Sequence, residues 1–130
     1  MKPFPVVAAF IRKGPHILLA RRPSGKLRAG LWEFPGGKLE GDEPPKEALK
    51  REIREELGVE AEIGPFLAEV VHSYPEVTIR LLCYEAKIFG EPKPLEGQGL
   101  SWFLPKELEN LPLAPADRVL WSRLREKLGL

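Results

Sequence analysis

The segment Gly36–Val59, GGKLEGDEPPKEALKREIREELGV, constrains this chain more than any other stretch. Two glycines open it, an acidic loop follows, and helix signals come next. Pro44 and Pro45 suit a first helical turn, whose backbone N–H groups lack intrahelical partners anyway. Gly58 stands where a left-handed C-terminal cap is expected. Between them Leu49, Ile53 and Leu57 recur at i, i+4, i+8 and form one apolar stripe. Glu52, Glu55 and Glu56 are spaced i, i+3, i+4, so they project from neighbouring points of one face. Like charges at that spacing cost about 0.2–0.5 kcal/mol per pair. A bound cation reverses that sign. Hard divalent ions such as Mg²⁺ take oxygen ligands and commonly combine carboxylates with substrate phosphates. Taken by itself, REIREEL fits a solvated face with Arg and Lys partners as readily as a cation site.

The flanking chain supplies an α/β frame. Pro5–Arg12 is apolar and β-branched enough for a buried strand. Lys13-Gly14-Pro15 is a turn, and His16–Arg22 returns as the second strand of a hairpin. His16 reads as a surface residue at the turn exit. Arg21 and Arg22 alternate to opposite faces, so only one of them can bring a guanidinium to a phosphate. Pro23–Gly30 is a polar loop, after which Trp32 and Phe34 share one face and Glu33 takes the other. Ala61–Tyr74 reads as two strands separated by Gly64-Pro65, and Val77–Phe89 as a long returning strand. A Pro- and Gly-rich loop covers Gly90–Gly99. Leu100–Leu104 is a short strand, Pro105–Leu108 a helical turn. From Pro115 an amphipathic helix carries Val119, Leu120, Leu124 and Leu128 on one side. Asp117 near its start suits an N-cap or first-turn charge. The pattern alone gives α/β or α+β in one domain covering 1–130, with no internal repeats.

Composition narrows the partners. A net charge of +1 offers no general electrostatic basis for binding a nucleic acid polymer or a membrane surface. No apolar run approaches spanning length and no N-terminal signal pattern is visible, so a cytoplasmic location is the default. The single cysteine, Cys83, lies in an apolar run and reads as a small core residue. Asn110, Gln98 and Thr78 are each the sole residue of their type, against 14 prolines. Scarce amides and proline-rich loops give the expectation of a thermophilic source.

Gly37, Glu43, the run Arg51-Glu52-Ile53-Arg54-Glu55-Glu56-Leu57-Gly58 and Val59 together resemble the full signature of the Nudix hydrolases, matching every specified position. Arg21-Arg22, WEFPGGK before the signature, and Glu96-Gly97-Gln98 followed by Trp102 are similar to the MutT-type nucleotide pyrophosphohydrolases. They are also similar to the related C-terminal domain of MutY-type adenine glycosylases. The resemblance implies an α/β/α sandwich around a central mixed β-sheet, with the signature as a loop–helix–loop. It implies Mg²⁺ or Mn²⁺ held by the side chains of Glu52, Glu55 and Glu56 and the Gly36 carbonyl. Glu96 is implied as an added ligand or proton acceptor. Glu52 is then the first choice for general base, with Arg51 orienting the cluster and Glu43 pairing with Arg51. Arg22 and Lys38 are the expected phosphate contacts. Asp117 falls where the family can hold an Asn that reads a guanine-type base; a carboxylate accepts there but donates only when protonated.

The implied reaction is hydrolysis of a nucleoside diphosphate linked to a further group. The leading substrate is a nucleoside triphosphate, including oxidised forms such as 8-oxo-dGTP, split to monophosphate and pyrophosphate in nucleotide pool sanitation. Dinucleoside polyphosphates, ADP-ribose and nucleotide sugars are the same-family alternatives. Tyr74-Pro75 falls where some of those members carry a marker residue, although YPEVTIRL equally resembles a MutT-type strand turn. A non-catalytic module that binds damaged nucleotides is the alternative from another class, and the intact carboxylate set counts against it. Monomer and homodimer are both open.

Overall fold

The computed structural model describes residues 2–130. Its strands are β1 (Phe4–Lys13), β2 (His16–Arg21), β3 (Trp32–Glu33), β4 (Gly36–Lys38), β5 (Glu60–Ser73), β6 (Thr78–Phe89) and β7 (Gly99–Phe103). Its helices are α1 (Pro45–Leu57), α2 (Pro105–Leu108) and α3 (Pro115–Leu128). β1 lies parallel to β6, from Phe4 opposite Ile79 to Ile11 opposite Ala86. β6 pairs antiparallel with β5, which forms one border of the sheet. β1 touches β2 only at the hairpin end, through Arg12–Ile17 and Lys13–His16. Beyond that the two diverge: β1 takes β4 as its antiparallel neighbour, while β2 lies between β3 and β7. The result is the mixed central sheet expected of a Nudix fold.

β1 explains why the layers are three. A strand sends alternate side chains to opposite faces, and β1 is apolar on both. Val7, Ala9 and Ile11 pack with Leu49, Ile53 and Leu57 of α1. Ala8 and Phe10 pack with Leu120, Trp121 and Leu124 of α3. A sheet covered on both faces reads as a continuous hydrophobic run, which is what Val6–Ile11 shows. Cys83 is fully buried in the α3-side core, where burial raises its thiol pKa.

Two sequence expectations need correction. Gly64-Pro65 does not divide β5; the strand runs through it with register shifts between Ile63 and Phe66 and between Phe66 and Ala68. A bulge accommodates a proline because the displaced residue has no ladder hydrogen bond to donate. In α3, Val119 is exposed, and the buried positions are Ala116, Asp117, Leu120, Trp121 and Leu124. The apolar stripe is therefore rotated toward Trp121.

α1 begins at Pro45 after an extended Pro44 and ends on Gly58 at φ +67°. Its last carbonyls are engaged by the loop after β6: Lys93 N–H donates to Leu57 O at 2.9 Å and Leu95 N–H to Glu56 O at 3.1 Å. Helix ends need such partners, and here they anchor the loop that carries Glu96. At the opposite side of the sheet, α3 covers β5. Lys127 Nζ donates to the Leu67 carbonyl at 3.0 Å, and Arg123 donates to the Glu69 carbonyl.

Candidate functional site

The site grows from the crossing of β4 and α1. Gly36 and Gly37 bring backbone against β1 and α1 more closely than any side chain permits. A Cβ at Gly36 would lie 1.9 Å from the Val7 carbonyl oxygen, and one at Gly37 would lie 2.4 Å from the Glu52 carboxyl carbon. The glycine pair thus leaves room for Glu52 beneath the strand. Gly36 N–H donates to Glu56 Oε2 at 3.0 Å, which fixes Glu56 under the same backbone.

Arg51 organises the acidic face. It grips Glu43 with two hydrogen bonds, Nε to Oε2 at 2.8 Å and Nη2 to Oε1 at 2.9 Å. Its Nη1 reaches Glu52 Oε1 at 3.0 Å and Glu55 Oε2 at 3.1 Å, and Nη2 also reaches the Lys38 carbonyl at 3.1 Å. The planar guanidinium fork suits several carboxylates at once. Hydrogen bonding from Arg51 lowers the Glu43 pKa, while Glu43 in turn raises that of Arg51.

Two cavities meet here. One, of about 240 Å³, is polar and includes Arg22, Glu33, Gly36, Glu56 and Glu96 in its lining. The other, of about 390 Å³, is largely apolar, with Arg22, Glu33, Gly36, Lys38 and Asp117 among its walls. Arg22, Glu33 and Gly36 belong to both. Arg22 Nη1 holds both Glu33 oxygens, at 3.2 and 3.1 Å, and Nε donates to Leu27 O at 2.6 Å. Asp117 sits buried in the apolar cavity and accepts the Phe34 N–H at 3.0 Å through Oδ1. It is not a helix cap; α3 has no side-chain cap bond.

Burial dominates the electrostatics of the site. Burial, then the charges of Glu52, Glu33 and Glu96, push Glu56 up to about 9. Burial raises Glu52 against the pull of Arg51, and raises Glu33 against the pull of Arg22. Burial and then Glu33 push Asp117 up to about 8. Buried carboxyls near like charges take up protons for this reason.

The structure therefore brings Gly36, Glu56 and Glu96 to one cavity, with Glu52 close enough to perturb Glu56. Glu55 is half exposed and tied to Arg51. Arg22, Lys38 and Asp117 gather at the neighbouring cavity. Among the described residues, no three His, Cys, Asp or Glu side chains already form a metal-holding group. The donors are nonetheless all carboxylate and carbonyl oxygens, the set that suits Mg²⁺ or Mn²⁺. The raised pKa of Glu56 is what a cation between these carboxylates would reverse.

Sequence reasoning left Glu33 and Gln98 without roles. Glu33 was visible as a lone charge in an aromatic strand. Gln98 is buried; its Nε2 donates to Glu56 O at 3.0 Å and its Oε1 accepts from Glu96 N at 2.8 Å. Its place in Glu96-Gly97-Gln98 and its being the sole glutamine were the available signals.

Known proteins resemble this chain along most of its length. The NUDIX domain family matches residues 6–123. CTP pyrophosphohydrolase of Escherichia coli (strain K12) is 46% identical over 118 residues, covering 90% of this chain and 87% of that protein. 8-oxo-dGTP diphosphatase of Haemophilus influenzae is 36% identical over 110 residues, covering 84% of this chain and 81% of that protein. The crystal structure of a MutT NUDIX hydrolase from Burkholderia pseudomallei superposes with a TM-score of 0.85 at 32% identity, covering 95% of this chain and 99% of that one. No helix among the described residues is long and apolar enough to cross a membrane.

Proposed function

The chain belongs to the NUDIX domain family and is a Nudix hydrolase, and from that premise we propose that it is a divalent-metal-dependent pyrophosphohydrolase of nucleoside triphosphates. Water adds to one phosphorus of the anhydride, the bridging P–O bond breaks, and monophosphate and pyrophosphate leave. The observation that carries this reading is the pair of cavities joined through Arg22, Glu33 and Gly36, one polar, with Glu56 and Glu96 beside Arg22 and Lys26, and one apolar. The polar one suits a metal-bound polyphosphate and the apolar one a base.

Glu52, Glu55, Glu56 and the Gly36 carbonyl would hold Mg²⁺ or Mn²⁺, with Glu96 as an added ligand or proton acceptor. The ion, when bound, neutralises phosphate charge and lowers the pKa of water. Glu52 would take the water's proton, its carboxylate held by Arg51 at 3.0 Å. Arg22 and Lys38 neutralise phosphate charge as it develops. Asp117 reads the base: with a proton at Oδ2 it can donate, while Oδ1 stays committed to Phe34 N–H.

The names of the relatives point to CTP and to oxidised dGTP as substrates. A panel of CTP, dGTP, 8-oxo-dGTP, ADP-ribose and a dinucleoside tetraphosphate, each with Mg²⁺, tests the reading. Pyrophosphate release from the triphosphates is the expected result. Turnover confined to ADP-ribose or the dinucleotide would overturn it.

A further inference from the structure

Arg28 is the only non-glycine among the described residues with a left-handed backbone, at φ +58°. Such a conformation costs stability in a residue with a Cβ and persists where surrounding contacts over-determine it. The contacts here come from a chain segment 48 positions away. Arg28 Nη2 donates to Glu76 Oε2 at 2.9 Å and Nη1 to Glu76 Oε1 at 3.3 Å. The same guanidinium lies over the Tyr74 ring, its central carbon 3.6 Å from the centroid. Tyr74 is itself fixed, because its hydroxyl accepts the Ala116 N–H at 3.0 Å at the start of α3, one residue from Asp117.

These groups line the same apolar cavity as the glycine pair. Leu27, Arg28, Tyr74 and Glu76 all line it, together with Asp117. The clamp joins the loop between β2 and β3 to the turn between β5 and β6. A guanidinium has five N–H groups, and two of them are engaged by Glu76. Arg28 lines the cavity beside the carboxyls of Glu33, Glu76 and Asp117, the Tyr74 phenol and the cations Arg22 and Lys38, with N–H groups to spare beyond the two that Glu76 holds.

We propose that Arg28, held flat by Tyr74 and Glu76, is a specificity-determining residue that donates to an acceptor on the nucleobase opposite Asp117. The proposal rests on the base pocket assigned above and goes beyond it by naming the second polar wall. The chemistry favoured is a base that presents an acceptor, a ring carbonyl or an unprotonated ring nitrogen, because an arginine donor must be met by an acceptor. Lysine cannot substitute, since an ammonium offers neither the fork to Glu76 nor the flat stack on Tyr74.

The test measures binding of CMP, dGMP and 8-oxo-dGMP by calorimetry without metal, to the wild-type chain, Arg28→Gly, Arg28→Lys and Glu76→Gln. Glycine accepts the left-handed backbone at no steric cost, so Arg28→Gly removes the guanidinium while keeping the loop path; its thermal midpoint is recorded alongside. The expected result is a loss of about tenfold or more for Arg28→Gly, unequal among the three ligands, with no recovery in Arg28→Lys. A merely structural role would weaken all three alike and would be restored in part by lysine. Binding of every ligand by Arg28→Gly within twofold of wild type would overturn the proposal, even where wild-type hydrolysis of triphosphates upholds the pyrophosphohydrolase reading. Absence of both binding and hydrolysis in the wild-type chain would overturn that reading and this proposal together.

Discussion

Asp117 Oδ1 accepts the Phe34 backbone N–H at 3.0 Å, joining positions 83 residues apart. That bond fixes the first turn of α3 against the WEFPGG segment and turns the carboxyl inward. It also places a titrating group among apolar walls. In the native chain Asp117 rises from its ordinary 3.8 to about 8, and Glu56 from 4.5 to about 9. The native state then keeps protons that the unfolded chain has released. Their contribution to stability is full below the ordinary values of 3.8 and 4.5, falls as pH rises from there to about 8 and about 9, and is level beyond. Thermal melts in chelator should show a lower midpoint at pH 9 than at pH 6, and Asp117→Asn should flatten that slope.

Metal should reverse the trend. Ligand carboxylates must lose their protons to bind a cation, so affinity increases with pH. Added Mn²⁺ should raise the melting midpoint more at pH 8.5 than at pH 6.5, with a gain of about 2.7 kcal/mol once the ion exceeds its dissociation constant a hundredfold. Chelation should abolish pyrophosphate release. An equal midpoint with and without Mn²⁺ at both pH values would contradict the oxygen-donor site.

Glu55→Gln and Glu56→Gln should each lower turnover by about 10²–10⁴-fold while leaving the fold intact. Glu56→Gln also removes a charge crowded by Glu52, Glu33 and Glu96, so its midpoint at pH 9 should equal or exceed wild type. Pyrophosphate release and circular dichroism on the same samples check both halves.

Arg51 touches Glu43, Glu52, Glu55 and the Lys38 carbonyl at once. Its replacement leaves several carboxylates unpaired, two of them mostly shielded from solvent. Arg51→Ala should lose about 1.5–3 kcal/mol of stability together with turnover. Arg51→Lys keeps the charge without the fork and should recover little of either. Denaturant midpoints and steady-state kinetics provide the comparison.

Local rules made much of this molecule legible. The α1 stripe of Leu49, Ile53 and Leu57 and its Pro and Gly ends appear where spacing placed them. The β1–β2 turn and the Arg51–Glu43 pairing also appear as expected. What escaped depends on contacts distant in sequence. Asp117 reads locally as a first-turn charge, and only the approach of Phe34 makes it a cavity wall. Glu33 gains significance from Arg22 across the loop. Pro65 breaks a strand on paper, yet the partner strand β6 carries β5 through it. Val119 fits a helical stripe by spacing, but the sheet meets α3 on the side of Trp121.

The border strand β5 presents its Leu67 and Glu69 carbonyls outward, where Lys127 and Arg123 already occupy them. A foreign strand must evict two cations of the same chain before it can add there, so sheet growth from molecule to molecule is checked from within. Cutting the chain ahead of Arg123 would remove both cations and leave those two carbonyls open to such a strand.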